Sequence, residues 1–451
     1  MKMDILFFSK KFENKDEFIV DSKTFSEYIT THGFEGKPKQ ILLMPPSLSS
    51  RGNETILVSS EDIKSTDLIE LGYLIGKQIQ TSVTIEIVNF EGNKELLIQG
   101  IMFSEYNFDS YKTMKTKERI ELNFSEDLDT QSNKLKKEAV FWVRDMINTP
   151  PLDKTPEFFI ESIKNLNTEI NLEIHDEEWL EENNFGAVLG VAKGSERKPY
   201  FLVGEYNKEA DFQIALIGKG VMFDSGGLSL KSPAGMETMK TDMAGAATAW
   251  GVMSLISKHK INVGLTVFTP IVENMPSGSA IRPGDVLTAR NGKTIEVLNT
   301  DAEGRLIMAD ALAYASEKKP DLICDVATLT GASYVALGLD IGAIFSNNKD
   351  IENIFINSTE TSGEEFYPLP LHEGYKKLIE SDIADMQNTG GHFGGAITAA
   401  LLLENFVEDL DWVHLDIAGP ARASNRKGAT GFSVLTLFEF FKDLAMSHLE
   451  S

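Results

Sequence analysis

Two carboxylates and a guanidinium lie within one short stretch, Asn299–Leu306, with the sequence Asn-Thr-Asp-Ala-Glu-Gly-Arg-Leu. It follows an alternating apolar segment (294–298) typical of a strand and leads into an apolar segment (306–312) typical of a helix. Side chains two residues apart in an extended turn point the same way, so Asp301 and Glu303 can converge. Because like charges held that close repel, the stretch indicates a bound cation. A plain strand-to-helix turn, with acidic residues favouring the helix N-terminus, is the alternative.

A glycine-rich segment, Gly218–Lys231, carries further charged residues of this kind, namely Lys219, Asp224 and Lys231. It follows the strand-like residues 214–217, and its glycines predict a loop beside the same sheet edge. A phosphate-binding loop is the competing interpretation. Its spacing fits neither the Walker nor the dinucleotide motif, and an aspartate lies inside it.

A fourth carboxylate, Asp242, lies in or just ahead of a predicted helix, and the small residues behind it allow close helix packing. Alone, it would be interpreted as a surface or capping residue. Together the four carboxylates form an oxygen-rich set without histidine or thiolate, which suits Mg, Mn or Zn, and a pair of ions where carboxylates can bridge. Lys219, Lys231 and Arg305 would supply positive charge for an anionic transition state or a bound anion.

The scaffold that would bring these segments together is predicted from residue 155 onward, where strand and helix patterns alternate. Strands with few polar interruptions are predicted at 214–217, 262–267, 295–298, 322–327, 342–346 and 412–416. Helices are predicted at 236–257, 306–316, 396–406 and 434–446. The fold class is therefore α/β, with a largely parallel mixed sheet flanked by helices in the C-terminal domain and a smaller α/β domain before it.

At 451 residues the chain is too long for one ordinary core, so more than one domain is expected. The predicted parts are an N-terminal α/β domain (1–125), a connecting helix (126–150) and a catalytic domain (151–451). Within the first part, strands are predicted at 5–8, 41–44, 82–88, 96–103 and 119–124, and a helix is predicted at 62–79.

The composition excludes several classes of protein. With 43 basic and 68 acidic residues the formal net charge is −25, which argues against nucleic acid or an anionic membrane as the main partner. The single cysteine, Cys324, excludes an intrachain disulfide and a thiolate zinc cluster, and its apolar surroundings predict a buried thiol. The apolar run near the N-terminus is too short for a signal peptide, so a cytoplasmic location is expected.

With these motifs the chain resembles the leucyl aminopeptidase family, the cytosol aminopeptidases with a dinuclear metal centre, over essentially all of residues 140–445. The resemblance implies two divalent ions, Mn or Zn, with Mg or Co as further candidates. It implies that Asp224 and Glu303 bridge them, that Asp301 completes one metal site, and that Lys219 and Asp242 complete the other. A lysine that binds a metal ion must be neutral, and the nearby cations would favour the neutral form by lowering the pKa of its amine.

The resemblance also implies a mechanism, in which a metal-bridged hydroxide attacks the peptide. Lys231 would stabilise the oxyanion, and Arg305 would hold a bicarbonate ion that acts as the base. The free α-amine of the substrate would lie near Asp242, and the side-chain pocket would be formed by Met239, Thr328 and Gly331. The implied activity is removal of N-terminal Leu, Met and similar apolar residues from short peptides.

The implied assembly is a homohexamer, a dimer of trimers with active sites facing an interior cavity. Two alternatives stay open: a non-catalytic DNA-binding or regulatory member, and a narrow dipeptidase such as a cysteinylglycinase. The chain departs from the family pattern at His392, Phe393, Ala396 and Arg422, which concerns specificity or assembly.

Overall fold

The computed structural model describes residues 2–8, 18–59, 63–114, 122–124, 130–166, 169–422 and 428–449. The chain forms two compact units. The first unit comprises Met1–Glu138 with Glu360–Gly363, and the second unit comprises Ala139–Thr359 with Glu364–Ser451. The domain limits inferred from the sequence stay a prediction.

The first unit is built on a mainly parallel sheet with helices. Its strands are β1 (Lys2–Phe8), β2 (Ile41–Met44), β3 (Glu54–Ser59), β4 (Val83–Val88) and β5 (Leu122–Phe124), in the order β2-β3-β1-β4-β5. Its helices are α1 (Ser22–Thr31), α2 (Ser65–Gln78), α3 (Lys94–Phe103) and the beginning of α4 (Thr130–Asn148). Only β2 runs antiparallel to its neighbour among these described strands.

The strand predicted at 96–103 is wrong, because these residues belong to α3 and every one of them is buried. A helix buried on all sides lacks the polar face that reveals helical periodicity, so its sequence looks like that of a buried strand. Of the strand predicted at 119–124, residues 122–124 form β5, and the rest lie outside the described residues.

The second unit holds the larger sheet. The strands of this unit are β6 (Asn171–His175), β7 (Tyr200–Tyr206), β8 (Gln213–Gly218), β9 (Gly220–Asp224), β10 (Gly264–Asn274), β11 (Asp285–Thr288), β12 (Thr294–Val297), β13 (Leu322–Ala327), β14 (Gly342–Ser346), β15 (Phe366–Pro368), β16 (Met386–Gln387) and β17 (Trp412–Asp416). Strands β11, β12 and β16 form a separate three-stranded sheet, so the strand predicted at 295–298 is not part of the main parallel sheet. Its helices after α4 are α5 (Pro156–Lys164), α6 (Glu177–Glu182), α7 (Gly186–Ala192), α8 (Pro233–Met236), α9 (Ala244–His259), α10 (Gly304–Ser316), α11 (Gly331–Leu337), α12 (Lys349–Ser362), α13 (Gly395–Glu404) and α14 (Val434–Leu449).

The main sheet has the order β15-β14-β17-β13-β8-β10-β7-β6, and β9 also pairs with β10. Its central strands β17, β13, β8 and β10 are parallel, whereas β7, β6 and β14 introduce antiparallel pairs. Because Ile214 is in register with both Leu265 and Leu322, the carboxyl ends of these strands reach the same edge. The predicted fold class, a largely parallel mixed sheet flanked by helices, is confirmed.

The glycine-rich segment is not wholly a loop as predicted, since residues 220–224 form β9 and pair in parallel with β10. Its glycines serve close packing as well as turning. A Cβ at Gly218 would lie 2.7 Å from the Cα of Ala246, and one at Gly220 would lie 2.3 Å from the carbonyl oxygen of Pro270. Glycine as a packing residue gives the same sequence signal as glycine in a turn.

A further prediction concerns the single cysteine. Cys324 on β13 is fully buried, which confirms the expected buried thiol. Among the helices in the described part of the chain, none is long and apolar enough to cross a lipid bilayer.

Candidate functional site

Three of the predicted carboxylates come together at the carboxyl edge of the main sheet. Asp224 is the last residue of β9, Asp242 follows a 3-10 turn (Met239–Thr241), and Glu303 immediately precedes α10. Each offers one carboxylate oxygen that lies within 4.8 Å of those of the other two, and all three residues are buried. We call this group the carboxylate triad.

The charges of the triad are strongly perturbed. Burial, with repulsion from Glu303, raises the pKa of Asp224 to about 7. Burial likewise raises the pKa of Asp242 well above its usual range. Glu303 differs, because the ammonium groups of Lys219 and Lys231 outweigh its burial and lower its pKa. Perturbed carboxyl groups of this kind cluster at functional sites.

Lys219, directly after β8, lies between two members of the triad. Its Nζ is 3.0 Å from Glu303 Oε1, and it donates hydrogen bonds to Asp242 Oδ1 at 2.8 Å and to the carbonyl oxygen of Thr328 at 3.0 Å. Burial lowers the pKa of Lys219, but the carboxylates of Asp242, Glu303 and Asp224 together raise it above its ordinary value.

Asp301 lies beside the triad and is connected to it through Lys231. The Nζ of Lys231 is 2.5 Å from Asp301 Oδ1 and 2.8 Å from Asp224 Oδ2. Burial alone would lower the pKa of Lys231, but the carboxylates of Asp224 and Asp301 raise it by more, so the net pKa lies above the ordinary value. This side chain therefore carries a positive charge. All five residues predicted as metal ligands, together with Lys231, therefore form one continuous network of charges.

The residues of this network fit a metal ion. Asp242 Oδ2 and Glu303 Oε2 are buried and have no hydrogen-bond partner among the described residues. A buried carboxylate oxygen without a partner is costly, and a cation between such oxygens would remove that cost. The donors are oxygens and one amine, without thiolates, which is a set suited to Mg, Mn or Zn.

Arg305, the second residue of α10, is the predicted anion-binding residue. It is buried, and its Nε has no hydrogen-bond partner in the part of the chain that the structure describes. Burial lowers the pKa of its guanidinium to about 10, so the group stays charged at neutral pH. A buried guanidinium with a donor to spare could hold a small anion.

The residues predicted for the substrate pocket lie on two segments of this edge. Met239 begins the 3-10 turn before Asp242 and is half-buried, and Gly331 begins α11 and is exposed. Thr328 follows β13, and its hydroxyl donates to Asp242 Oδ1 at 2.9 Å. Thr328 thus orients a carboxylate of the triad, a contact that the sequence did not reveal.

Two buried asparagines near the triad were missed by the sequence analysis. Asn388 accepts hydrogen bonds from the backbone N–H groups of Leu298 and Asn299, at 2.9 and 3.2 Å, and donates to the carbonyl oxygen of Asn299 at 2.6 Å. Asn274 contacts Asp224 directly. Asn274 is the last residue of β10, which extends seven residues beyond the end of the strand predicted at 262–267, so the prediction placed no strand end at Asn274.

In α/β proteins with an open sheet, ligands bind at the carboxyl ends of the parallel strands. The lysines and carboxylates buried at this edge therefore define an α/β protein with a ligand site at the strand ends. Residues 141–438 match the profile of the cytosol aminopeptidase family, catalytic domain. The chain is 44% identical, over 77% of its length and 74% of the relative's, to the "Probable cytosol aminopeptidase" of Syntrophotalea carbinolica.

Solved structures agree with this match. The bottromycin maturation enzyme BotP, in a complex with Mn, superposes with a TM-score of 0.89 at 28% identity, covering 98% of this chain and 99% of that one. The cytosol aminopeptidase from Coxiella burnetii gives a TM-score of 0.88 at 30% identity, covering 98% and 97%.

This chain belongs to the cytosol aminopeptidase family, which confirms the resemblance seen in the sequence. It is therefore a metallopeptidase of the aminopeptidase class, a hydrolase that acts on peptides.

Proposed function

We propose that the protein removes apolar N-terminal residues, Leu and Met foremost, from short peptides with two divalent ions per subunit. The observation that carries the proposal is the carboxylate triad, with buried oxygens of Asp242 and Glu303 that lack a partner among the described residues. The family membership and the Mn complex of a structural relative support the same conclusion.

We assign Lys219, Asp224, Asp242, Asp301 and Glu303 to the metal ions. Mn or Zn fits this donor set best, with Mg or Co as alternatives. Bound ions would supply Lewis acidity, which polarises the scissile carbonyl and lowers the pKa of water. By the resemblance to the family, Asp224 and Glu303 are the members that would be shared between the ions, and both belong to the carboxylate triad.

The chain supplies positive charge where the substrate develops negative charge. We assign Lys231 to the oxyanion that forms when the peptide carbonyl is attacked, because its ammonium is partly accessible and stays protonated. We assign Arg305 to binding a bicarbonate ion as the base, because its buried guanidinium has an unpartnered Nε within the described residues.

Exopeptidase action requires recognition of the substrate's free amine. Asp242 is the acidic group we assign near that amine, and Met239, Thr328 and Gly331 are the residues we assign to the pocket for the first side chain. Met239 and Thr328 adjoin Asp242, by chain position and by a hydrogen bond respectively. The residue before an internal peptide bond has no free amine, so Asp242 could not position that bond for cleavage.

The test is hydrolysis of leucine anilide by the purified protein, before and after a chelator, followed by addition of Mn, Co or Zn. We expect the chelator to abolish turnover and the metals to restore it. The N-acetylated anilide is the control and should not be cleaved. Failure of the metal-loaded protein to cleave any unblocked peptide would overturn the proposal. A panel of amino-acid amides, assayed with each metal, would define the preferred residue.

A further inference from the structure

Asn274, at the end of β10, contacts two segments of the proposed metal centre at once. Its side chain is 1% exposed. Its Nδ2 donates a hydrogen bond to Asp224 Oδ1 at 2.8 Å and another to the carbonyl oxygen of Thr300 at 2.9 Å. Both partners accept only, so the orientation of the amide is fixed by chemistry.

The first of these hydrogen bonds determines which oxygen Asp224 offers. Asp224 Oδ1 also accepts from the backbone N–H of Gly226 at 2.8 Å, so two donors occupy it. Asp224 Oδ2 instead faces the ammonium group of Lys231 at 2.8 Å. Fixing Oδ1 therefore leaves Oδ2 as the oxygen directed toward the charged network.

The second hydrogen bond acts on the loop that carries the other carboxylates. Thr300 immediately precedes Asp301 and lies three residues before Glu303. A primary amide carries two N–H hydrogens on one nitrogen and can donate to both segments together, which neither a carboxylate nor an aliphatic side chain can do.

The position of Asn274 is itself anchored. The backbone carbonyl oxygen of Asn274 accepts hydrogen bonds from the backbone N–H of Ser225 at 3.0 Å and from the hydroxyl of Ser225 at 2.7 Å. The amide therefore projects from a strand end whose backbone is bonded to the residue that follows Asp224.

We propose that Asn274 is a positioning residue for the metal centre, which holds the carboxylate of Asp224 and the backbone of Thr300 in fixed positions relative to each other. This inference rests on the proposed function, since it presumes that the triad binds metal. Partners of metal ligands orient those ligands, and their loss typically weakens metal binding about 10–100-fold.

The experiment measures Mn²⁺ affinity of the metal-free, full-length protein by competition with a fluorescent chelator. We expect Asn274→Ala to bind Mn²⁺ about 10–100-fold more weakly than wild type. The matched control is Asn133→Ala, which removes an equally buried asparagine from the first unit and should bind Mn²⁺ as wild type does. Should Asn274→Ala fail to fold, Asn274→Leu removes the donors while filling a similar volume.

A second readout is the visible absorption spectrum of the Co²⁺-loaded protein, which reports ligand geometry. We expect this spectrum to change in the Asn274 variants and not in Asn133→Ala. Unchanged Mn²⁺ affinity in a folded Asn274 variant would overturn the positioning role while leaving the proposed function standing. Absence of Mn²⁺ binding by wild type would instead overturn the metal centre, and the positioning role with it.

Discussion

Glu303 is the carboxylate on which the proposed centre depends most, since one of its oxygens contacts Lys219 at 3.0 Å and the other is buried without a described partner. We expect Glu303→Ala to lose tight Mn²⁺ binding and to lower kcat/KM by more than about 100-fold, because a ligand matters at least as much as its supporting partners. Metal analysis after dialysis and anilide hydrolysis measure the two effects, and far-ultraviolet circular dichroism checks the fold. A fully active Glu303→Ala enzyme would exclude the centre.

Arg305 can be compared with Glu303, because it contributes charge to the site without being a proposed metal ligand. Arg305→Ala should therefore reduce kcat while the bound metal content stays at the wild-type value. Loss of metal from this variant would contradict the assignment of Arg305 to an anion.

A second buried pair, His414 and Asp325, predicts a dependence of stability on pH. His414 Nδ1 lies 2.6 Å from Asp325 Oδ1, and both side chains are fully buried. Burial lowers the pKa of His414, but Asp325 outweighs it and raises the pKa above the ordinary 6.5. The pair's stabilisation is therefore fully present below about pH 6.5 and is lost as the pH rises through the folded-state pKa.

We expect His414→Gln to reduce the free energy of unfolding more at pH 6 than at pH 9. Urea unfolding of wild type and variant at both pH values measures the difference. An equal loss at both values would show that the imidazole is neutral throughout.

At the scale of elements, the start of α10 packs closely against the side chain of Lys219, so a methyl group at Gly304 would require that side chain to move. A Cβ at Gly304 would lie 2.4 Å from Cε and 2.6 Å from Nζ of Lys219. Gly304→Ala should therefore displace the ammonium group of Lys219 from its place between Asp242 and Glu303. We expect Mn²⁺ affinity to fall more than about tenfold, by analogy with other disturbed ligand geometries.

The control for this variant is Gly278→Ala, since a Cβ at Gly278 meets nothing within 4 Å. Thermal unfolding and the same chelator competition separate the effects on stability and on metal. Wild-type Mn²⁺ affinity in Gly304→Ala would mean that Lys219 accommodates the methyl group without leaving its place.

A buried carboxylate on α10 also fixes the start of α7. Asp310 Oδ2 accepts from the backbone N–H groups of Ala187 and Val188, each at 2.9 Å, and Oδ1 accepts from that of Arg290 at 2.8 Å. Asp310→Ala would leave three N–H groups without their acceptor, two of them buried and that of Arg290 partly buried, so we expect a loss of about 3 kcal/mol or more in the free energy of unfolding. Asp310→Asn retains one acceptor oxygen and should lose less. Urea unfolding compares the two, and equal losses would contradict the role of hydrogen bonding.

At the scale of the whole molecule, the resemblance to the family leads us to propose a homohexamer. Large apolar side chains of the second unit are exposed, among them Leu230 at 59%, Val335 at 81% and Phe393 at 81%, which is consistent with burial in an assembly. Light scattering should give a mass of about 300 kDa for six chains of 50.0 kDa. A mass of one chain across the concentration range would exclude the hexamer and the enclosed cavity that it implies.

The sequence alone determined the type of sheet and the charged residues that follow one of its strands. Parallel strands place their carboxyl ends at one edge, so Lys219 and Asp224, which follow the strand predicted at 214–217, could be assigned to that edge from the sequence. Glu303 follows β12, which belongs to a separate three-stranded sheet, so only the tertiary structure brings it to the same place. The octet Asn299–Leu306 and its spacing from Lys219, Asp224, Lys231 and Asp242 carried the resemblance to the family, because the spacing of charged residues is a property of the chain itself.

The tertiary structure alone decided the features that depend on distant partners. The segment 96–103 is part of the helix α3 where an apolar run predicted a strand, because burial on every side removes the polar face by which a helix is recognised. The donors that orient the triad come from residues far away in the chain: Asn274 lies 50 residues from Asp224, and Thr328 lies 86 residues from Asp242. A hydrogen bond between distant residues leaves no local pattern in the sequence, because its geometry exists only once the strands that carry the two partners have packed together.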